Sequence, residues 1–179
     1  MSTTPPQSQK ELSSLGASYE FPRVDKIAVG AIGEPGARLF LLQCSYLGEL
    51  VTIKVEKVQI SSLVEYLTGI LERLDRPGHV PEDVSLEEPM TPIWAASQIA
   101  IGYSSSTDTI EVEFTEMLDD DESAGKFRCG LTKEQAAYLS IEGTRLVRSG
   151  RPPCPLCGYP LDNRGHVCPK TNGNSAPFI

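Results

Sequence analysis

Cys154, Cys157, His166 and Cys168 are the side chains of this sequence whose types and spacing announce chemistry. They form a C-x-x-C pair and an H-x-C pair with eight residues between them. Two short turns that each deliver two soft or borderline donors are what a tetrahedral zinc ion requires. In the first turn Pro155 offers no backbone N–H, and Gly158 accepts the positive φ that brings the chain back under a metal. In the second, Gly165 precedes the donors and Pro169 follows them. The spacing predicts one Zn2+ bound by three cysteines and a histidine. Three thiolates donate enough charge to make a poor Lewis acid, so the predicted role is structural rather than catalytic. His166 is the least constrained ligand: it can instead hydrogen-bond to a ligand, leaving Asp162, water or a partner residue as the fourth donor. Without a metal, Cys154 and Cys157 would read as a redox dithiol.

Other chemistries fail on their own requirements. A zinc deaminase needs H-x-E ahead of P-C-x-x-C; the sequence has PCPLC, but its only upstream histidine, His79, is followed by Val80 and Pro81. The G-E-P-G run at 33–36 lacks the Lys, the Ser/Thr and the following helix of a phosphate loop, and reads as a tight hairpin turn. No G-x-S-x-G or H-E-x-x-H occurs. The acids Asp119, Asp120, Asp121 and Glu122 read as a solvated loop tip rather than a cation site. Trp94, Phe40 and Tyr103 sit in strand-like segments and read as core rather than as a stacking surface.

A chain of 179 residues can bury a real core without disulfides. Of five cysteines, the two outside the cluster, Cys44 and Cys129, lie in apolar stretches, the usual place of reduced cysteines. The polar start has no signal-peptide core and no apolar run reaches membrane-spanning length, so a cytoplasmic location is expected. The net charge of −8 is uneven. Residues 82–122 carry twelve acids and no Lys or Arg, whereas 126–179 carry eight bases against three acids. Arg148, Arg151, Arg164 and Lys170 therefore make a candidate partner surface around the cysteine cluster.

The chain reads as a disordered tail (1–18), an α+β domain (19–150), a zinc-binding tail (151–173) and a flexible end (174–179). Within the domain, strands are expected over 24–32, 38–46 and 50–55, then an amphipathic helix over 56–74 with Val58, Leu63, Leu67, Ile70, Leu71 and Leu74 inward. After a solvated acidic loop (76–91), strands are expected over 92–103, 109–114 and 126–131. A second helix follows, capped by Thr132 with Gln135 and ended at Gly150. IAVG at 27–30 matches IAIG at 99–102, and Lys57-Val58-Gln59 matches Lys133-Glu134-Gln135. The fold class is thus α+β: two tandem βββα repeats (22–75 and 92–150) forming one compact domain with pseudo-twofold character, plus a short zinc-knuckle or ribbon-like tail.

AVGAIGEPGARLFLLQ, the LEEP segment at 86–89 and above all SGRPPCPLCGYPLDNRGHVCPKTNG resemble an uncharacterised bacterial family, a domain of unknown function found mainly in actinobacteria and Chloroflexi. The resemblance runs from about Phe21 to Gly173, and the CPxCG…GHxCP tail is its most specific part. It implies a zinc-binding tail and no established activity or substrate. Ser149 stands where the family has Ala, a small-for-small exchange.

Three functions follow in order of preference. The first is a non-enzymatic protein-interaction or adaptor module with a protein partner. The second is nucleic-acid binding through the basic C-terminal third, which the net charge disfavours. The third is an enzyme or enzyme subunit with an unrecognised site between the repeats.

Overall fold

Runs rich in β-branched and apolar residues dictate the first sheet, with β3 apolar on both faces. β2 (Lys26–Ile32), β3 (Leu39–Tyr46) and β4 (Glu49–Val55) form an antiparallel sheet in that order. Its register places Ile27 opposite Cys44 and Leu42 opposite Ile53. β1 (Tyr19–Phe21), β5 (Ala96–Ser104), β6 (Thr109–Glu116) and β7 (Lys126–Leu131) form a second sheet in the order β1-β7-β6-β5. β1 lies parallel to β7 and the other pairs are antiparallel. Helices α1 (Lys57–Leu71) and α2 (Lys133–Arg148) follow β4 and β7. This computed structural model describes residues 17–34, 36–82, 84–118, 124–150, 153–159, 161 and 166–171.

The two sheets are stitched at both ends by the segments that lead into their strands. Ile93 N–H donates to the Thr52 carbonyl (2.8 Å) and Lys54 N–H to the Trp94 carbonyl (3.0 Å), joining β4 to the lead-in of β5. Val24 N–H donates to the Gly130 carbonyl (3.0 Å), joining β7 to the lead-in of β2. The helix starts use the same residue in the same way. Gln59 accepts from the Glu56 N–H (2.7 Å) and donates to the Ala96 carbonyl (3.0 Å). Gln135 accepts from the Thr132 N–H (3.0 Å) and donates to the Val24 carbonyl (2.9 Å). Each glutamine thus satisfies an orphan N–H of its own helix and ties that helix to the chain entering the other sheet.

One core fills the space between sheets and helices. Phe127 sits between Phe21, edge-on at 5.2 Å, and Phe114, stacked at 5.9 Å. Cys44 and Cys129 come from different sheets and meet inside this core as free, buried thiols. Burial, and then the neighbouring Cys129, pushes the Cys44 thiol well above its ordinary range, which keeps it inert.

Several local expectations are corrected. β1 is an additional strand: Ser18 and Ala17 are anchored ahead of it, by Lys126 N–H to Ser18 Oγ (3.1 Å) and Trp94 Nε1–H to the Ala17 carbonyl (3.3 Å). The tail assigned to 1–18 otherwise lies outside the described residues, as do 174–179. The first helix ends at Leu71 rather than at 74, and Val58 faces solvent at 70% exposure. Leu63 and Leu67 are buried as expected, and Ile60 takes the inward place assigned to Val58. β5 begins at Ala96, not at 92, because Ile93 and Trp94 are engaged with β4. Tyr103 is exposed and Phe40 only half-buried, whereas Trp94 is core. The acidic loop is not simply solvated: Glu87 N–H donates to Gln43 Oε1 (2.7 Å), Gln43 Nε2 returns a bond to the Glu87 carbonyl (2.8 Å), and Glu87 pairs with Lys26.

Candidate metal centre

The C-terminal turn is built by its own backbone. Gly158 N–H donates to the Cys154 carbonyl (2.8 Å), and Cys154 N–H donates to the Tyr159 carbonyl (2.7 Å). Gly158 takes φ of 77°, a conformation that strains residues with a Cβ. The chain thereby doubles back so that both cysteine side chains of the pair face one point. The second pair arrives ahead of a short 3-10 turn, Pro169–Thr171. Cys154, Leu161 and Cys168 are buried together, with Cys157 packed against them.

The Sγ atoms of Cys154, Cys157 and Cys168 and a ring nitrogen of His166 all lie within 4.8 Å of one another. Cys154 Sγ is 4.0 Å from Cys168 Sγ, and Cys157 Sγ is 3.5 Å from His166 Nε2. Burial opposes ionisation of Cys154, but the backbone N–H groups of Cys157 and Leu156, the His166 ring and the Cys157 thiol bring it down to about 6. Burial and the neighbouring Cys154 and Cys168 sulfurs push Cys157 the other way. The four donors converge on one point and can hold a metal ion.

The remaining candidates separate cleanly. Arg148 and Lys170 are exposed, while Arg151, Arg164 and Asp162 lie outside the described residues. The acids 119–122 lie outside them as well. Ala37 N–H donates to the Glu34 carbonyl (2.9 Å), with Gly33 and Gly36 at φ of 94° and 97°. That is a hairpin turn, as expected. Among the described residues no helix is long and apolar enough to cross a membrane.

Sequence reasoning missed two surface grooves. One, of about 660 Å³, runs along α2 beside Tyr138, Glu142 and Arg145, with Val80, Val84 and Ser85 as its far wall. The other, of about 250 Å³, lies between α1 and β5 and is lined by Val58, Ser62, Tyr66, Ile99 and Ile101. Helical spacing points Val58 inward and so hides the second groove, which Val58 and Tyr66 flank as exposed apolar side chains.

No curated protein matches the chain. A family model described as "Protein of unknown function (DUF3090)" matches residues 19–168, a span that takes in both sheets, both helices and all four clustered Cys and His residues. The chain therefore belongs to the DUF3090 family.

Proposed function

We propose that this chain is a non-enzymatic protein-interaction module whose C-terminal tail is held together by one structural zinc ion. The observation that carries the metal is the convergence of four donor atoms within 4.8 Å. Zn–S bonds of about 2.3 Å and Zn–N bonds of about 2.0–2.1 Å at tetrahedral angles set sulfurs about 3.8 Å apart and a sulfur and nitrogen about 3.6 Å apart. The Cys154–Cys168 sulfur separation of 4.0 Å and the Cys157–His166 separation of 3.5 Å lie close to these values. Four protein donors complete a tetrahedron and leave no position for substrate, which supports a structural role. Among the described residues the buried cluster of the tail is Cys154, Leu161 and Cys168, far less apolar surface than a fold needs. The exposed Leu156, Tyr159 and Val167, with Arg148 and Lys170 nearby in sequence, support its use as a docking surface for a protein.

Metal analysis of protein purified without chelator tests this. About one zinc per chain is expected, falling to near zero in Cys154→Ser while the far-UV spectrum of the core persists. A metal-free wild-type chain would sink the reading.

We further propose that β2-β3-β4-α1 and β5-β6-β7-α2 are two copies of one βββα unit about a pseudo-twofold axis. Support comes from Gln59 and Gln135, which make matching bonds at the two helix starts. Gln59→Ala and Gln135→Ala should then each destabilise the protein, by about 2 kcal/mol, through loss of a cap and a cross-unit hydrogen bond. Urea midpoints that separate the two variants by more than about 1 kcal/mol would count against equivalent roles.

A further inference from the structure

The outer strand of a sheet carries unpaired N–H and C=O groups, and proteins guard it with charge, brevity or a cover. Four strands of this fold are outer ones: β1, β5, β2 and β4. β1 has three residues and carries Glu20, β2 carries Lys26, and β4 carries Glu49 and Lys54. β4 is also covered, by Ile93 and Trp94. β5 has none of these guards. It spans nine residues, ASQIAIGYS, without a charge or a proline. At its start the Gln59 side chain reaches the Ala96 and Ser97 carbonyls (3.0 and 3.3 Å). From Gln98 to Ser104, β6 is its only backbone partner among the described residues.

The surface beside that edge is equally bare. The groove between α1 and β5 is lined without a charged residue, in a chain whose net charge is −8. Val58 and Tyr66 on its helix wall are 70% and 67% exposed, and Ile99 and Ile101 form its strand wall. The groove beside α2 carries Glu82, Glu142 and Arg145 instead. An apolar patch depleted of charge is the composition of an interface core. The occupant that fits this edge is another copy of the same strand. Turned antiparallel about Ala100, β5 sets Ile99 opposite Ile101 of the second copy and Gln98 opposite Gly102 of the second copy. Two chains of −8 repel wherever their acids meet, and neither β5 nor the groove brings an acid to the contact. The size agrees as well. A nine-residue edge is about 30 Å long, and the sheet with α1 on it is about 20 Å deep, so pairing buries about 600 Å² per copy, at the lower bound of specific interfaces.

We infer that two copies of this chain pair through β5, antiparallel about Ala100, so that two four-stranded sheets become one of eight strands. The pairing gives the open edge its ladder bonds and withdraws Val58, Tyr66, Ile99 and Ile101 of both copies from water. It uses neither the C-terminal tail nor a metal, so it stands apart from the zinc reading.

Sedimentation velocity of the full chain tests it. A species of twice the 19.5 kDa chain mass is expected at micromolar concentration. Its share should rise with salt, which screens the repulsion between two acidic chains. Ala100 is exposed and lies opposite itself in the pair, so Ala100→Lys and Ala100→Glu each set like charges face to face. Each should raise Kd at least about tenfold, the equivalent of about 1.4 kcal/mol, with the far-UV spectrum unchanged. An equimolar mixture of the two variants should dimerise again, because the facing charges then attract. Leu47→Lys, at the exposed turn between β3 and β4, is the control and should leave Kd unchanged. A chain that stays monomeric at hundreds of micromolar and high salt, a dimer that tolerates both charges at Ala100, or variants that stay apart when mixed overturns the inference.

Discussion

Gly130→Ala is expected to unfold much of this protein. Gly130 lies inside β7, and a Cβ there would meet the backbone carbonyl of Pro22, at 2.1 Å from the oxygen and 3.0 Å from the carbon. No rotamer change relieves a clash between two main chains. Either β7 or the lead-in to β2 must move. Moving β7 displaces Phe127, Cys129 and Leu131, all of them in the core. Moving the lead-in breaks the Val24–Gly130 hydrogen bond and drags on Gln135, which holds the Val24 carbonyl. Overpacking with side chains costs about 1–3 kcal/mol, and a backbone collision at a sheet junction should cost at least about 3 kcal/mol. The matched control is Gly102→Ala, where an added Cβ meets nothing within 4 Å and little or no loss is expected. Urea unfolding of the two variants side by side checks the difference. A Gly130→Ala protein within about 1 kcal/mol of Gly102→Ala would mean that the junction is far more pliant than its geometry implies.

What could be read from the sequence was local, and what could not was a matter of long-range partners. The Cys-x-x-Cys and His-x-Cys turns carry their geometry within a few residues, so the Cys3His cluster was legible from spacing. The Thr132–Gln135 capping box was legible for the same reason, and the bonds are present in both directions. β1 was not, because a three-residue strand has no period of its own and exists only by pairing with residues 127–129. Val58 was assigned inward from helical spacing alone. Which stripe of α1 is covered depends also on α2: Gly143 lets that helix come so close that a Cβ would lie 2.6 Å from Val64. Gln43 shows the same limit. A glutamine in a run of apolar residues looks out of place until the Glu87 backbone, 44 residues away, and the Thr52 hydroxyl on β4 supply its partners.

The second large effect separates the core from the tail. Phe127 is fully buried between Phe21 and Phe114, so Phe127→Ala leaves a cavity that neither ring can fill without abandoning its own contacts. A loss of about 3–5 kcal/mol is expected, or a fall of roughly 10 °C in the unfolding midpoint. The clustered Cys154, Cys157, His166 and Cys168 make none of these ring contacts. Their buried cluster is distinct from the main core, and the bonds that shape the first turn run between Cys154, Gly158 and Tyr159. If the tail is a zinc-held body in its own right, Phe127→Ala should retain about one zinc per chain even at temperatures where its core has melted and the wild-type core has not. Cys154→Ser should do the reverse, losing the metal while the core midpoint moves little. Circular dichroism followed alongside a chromogenic zinc indicator reads both quantities in one scan. Zinc released in step with core unfolding in Phe127→Ala would make tail and core one cooperative unit, and the ion would then stabilise the whole fold rather than a docking element appended to it.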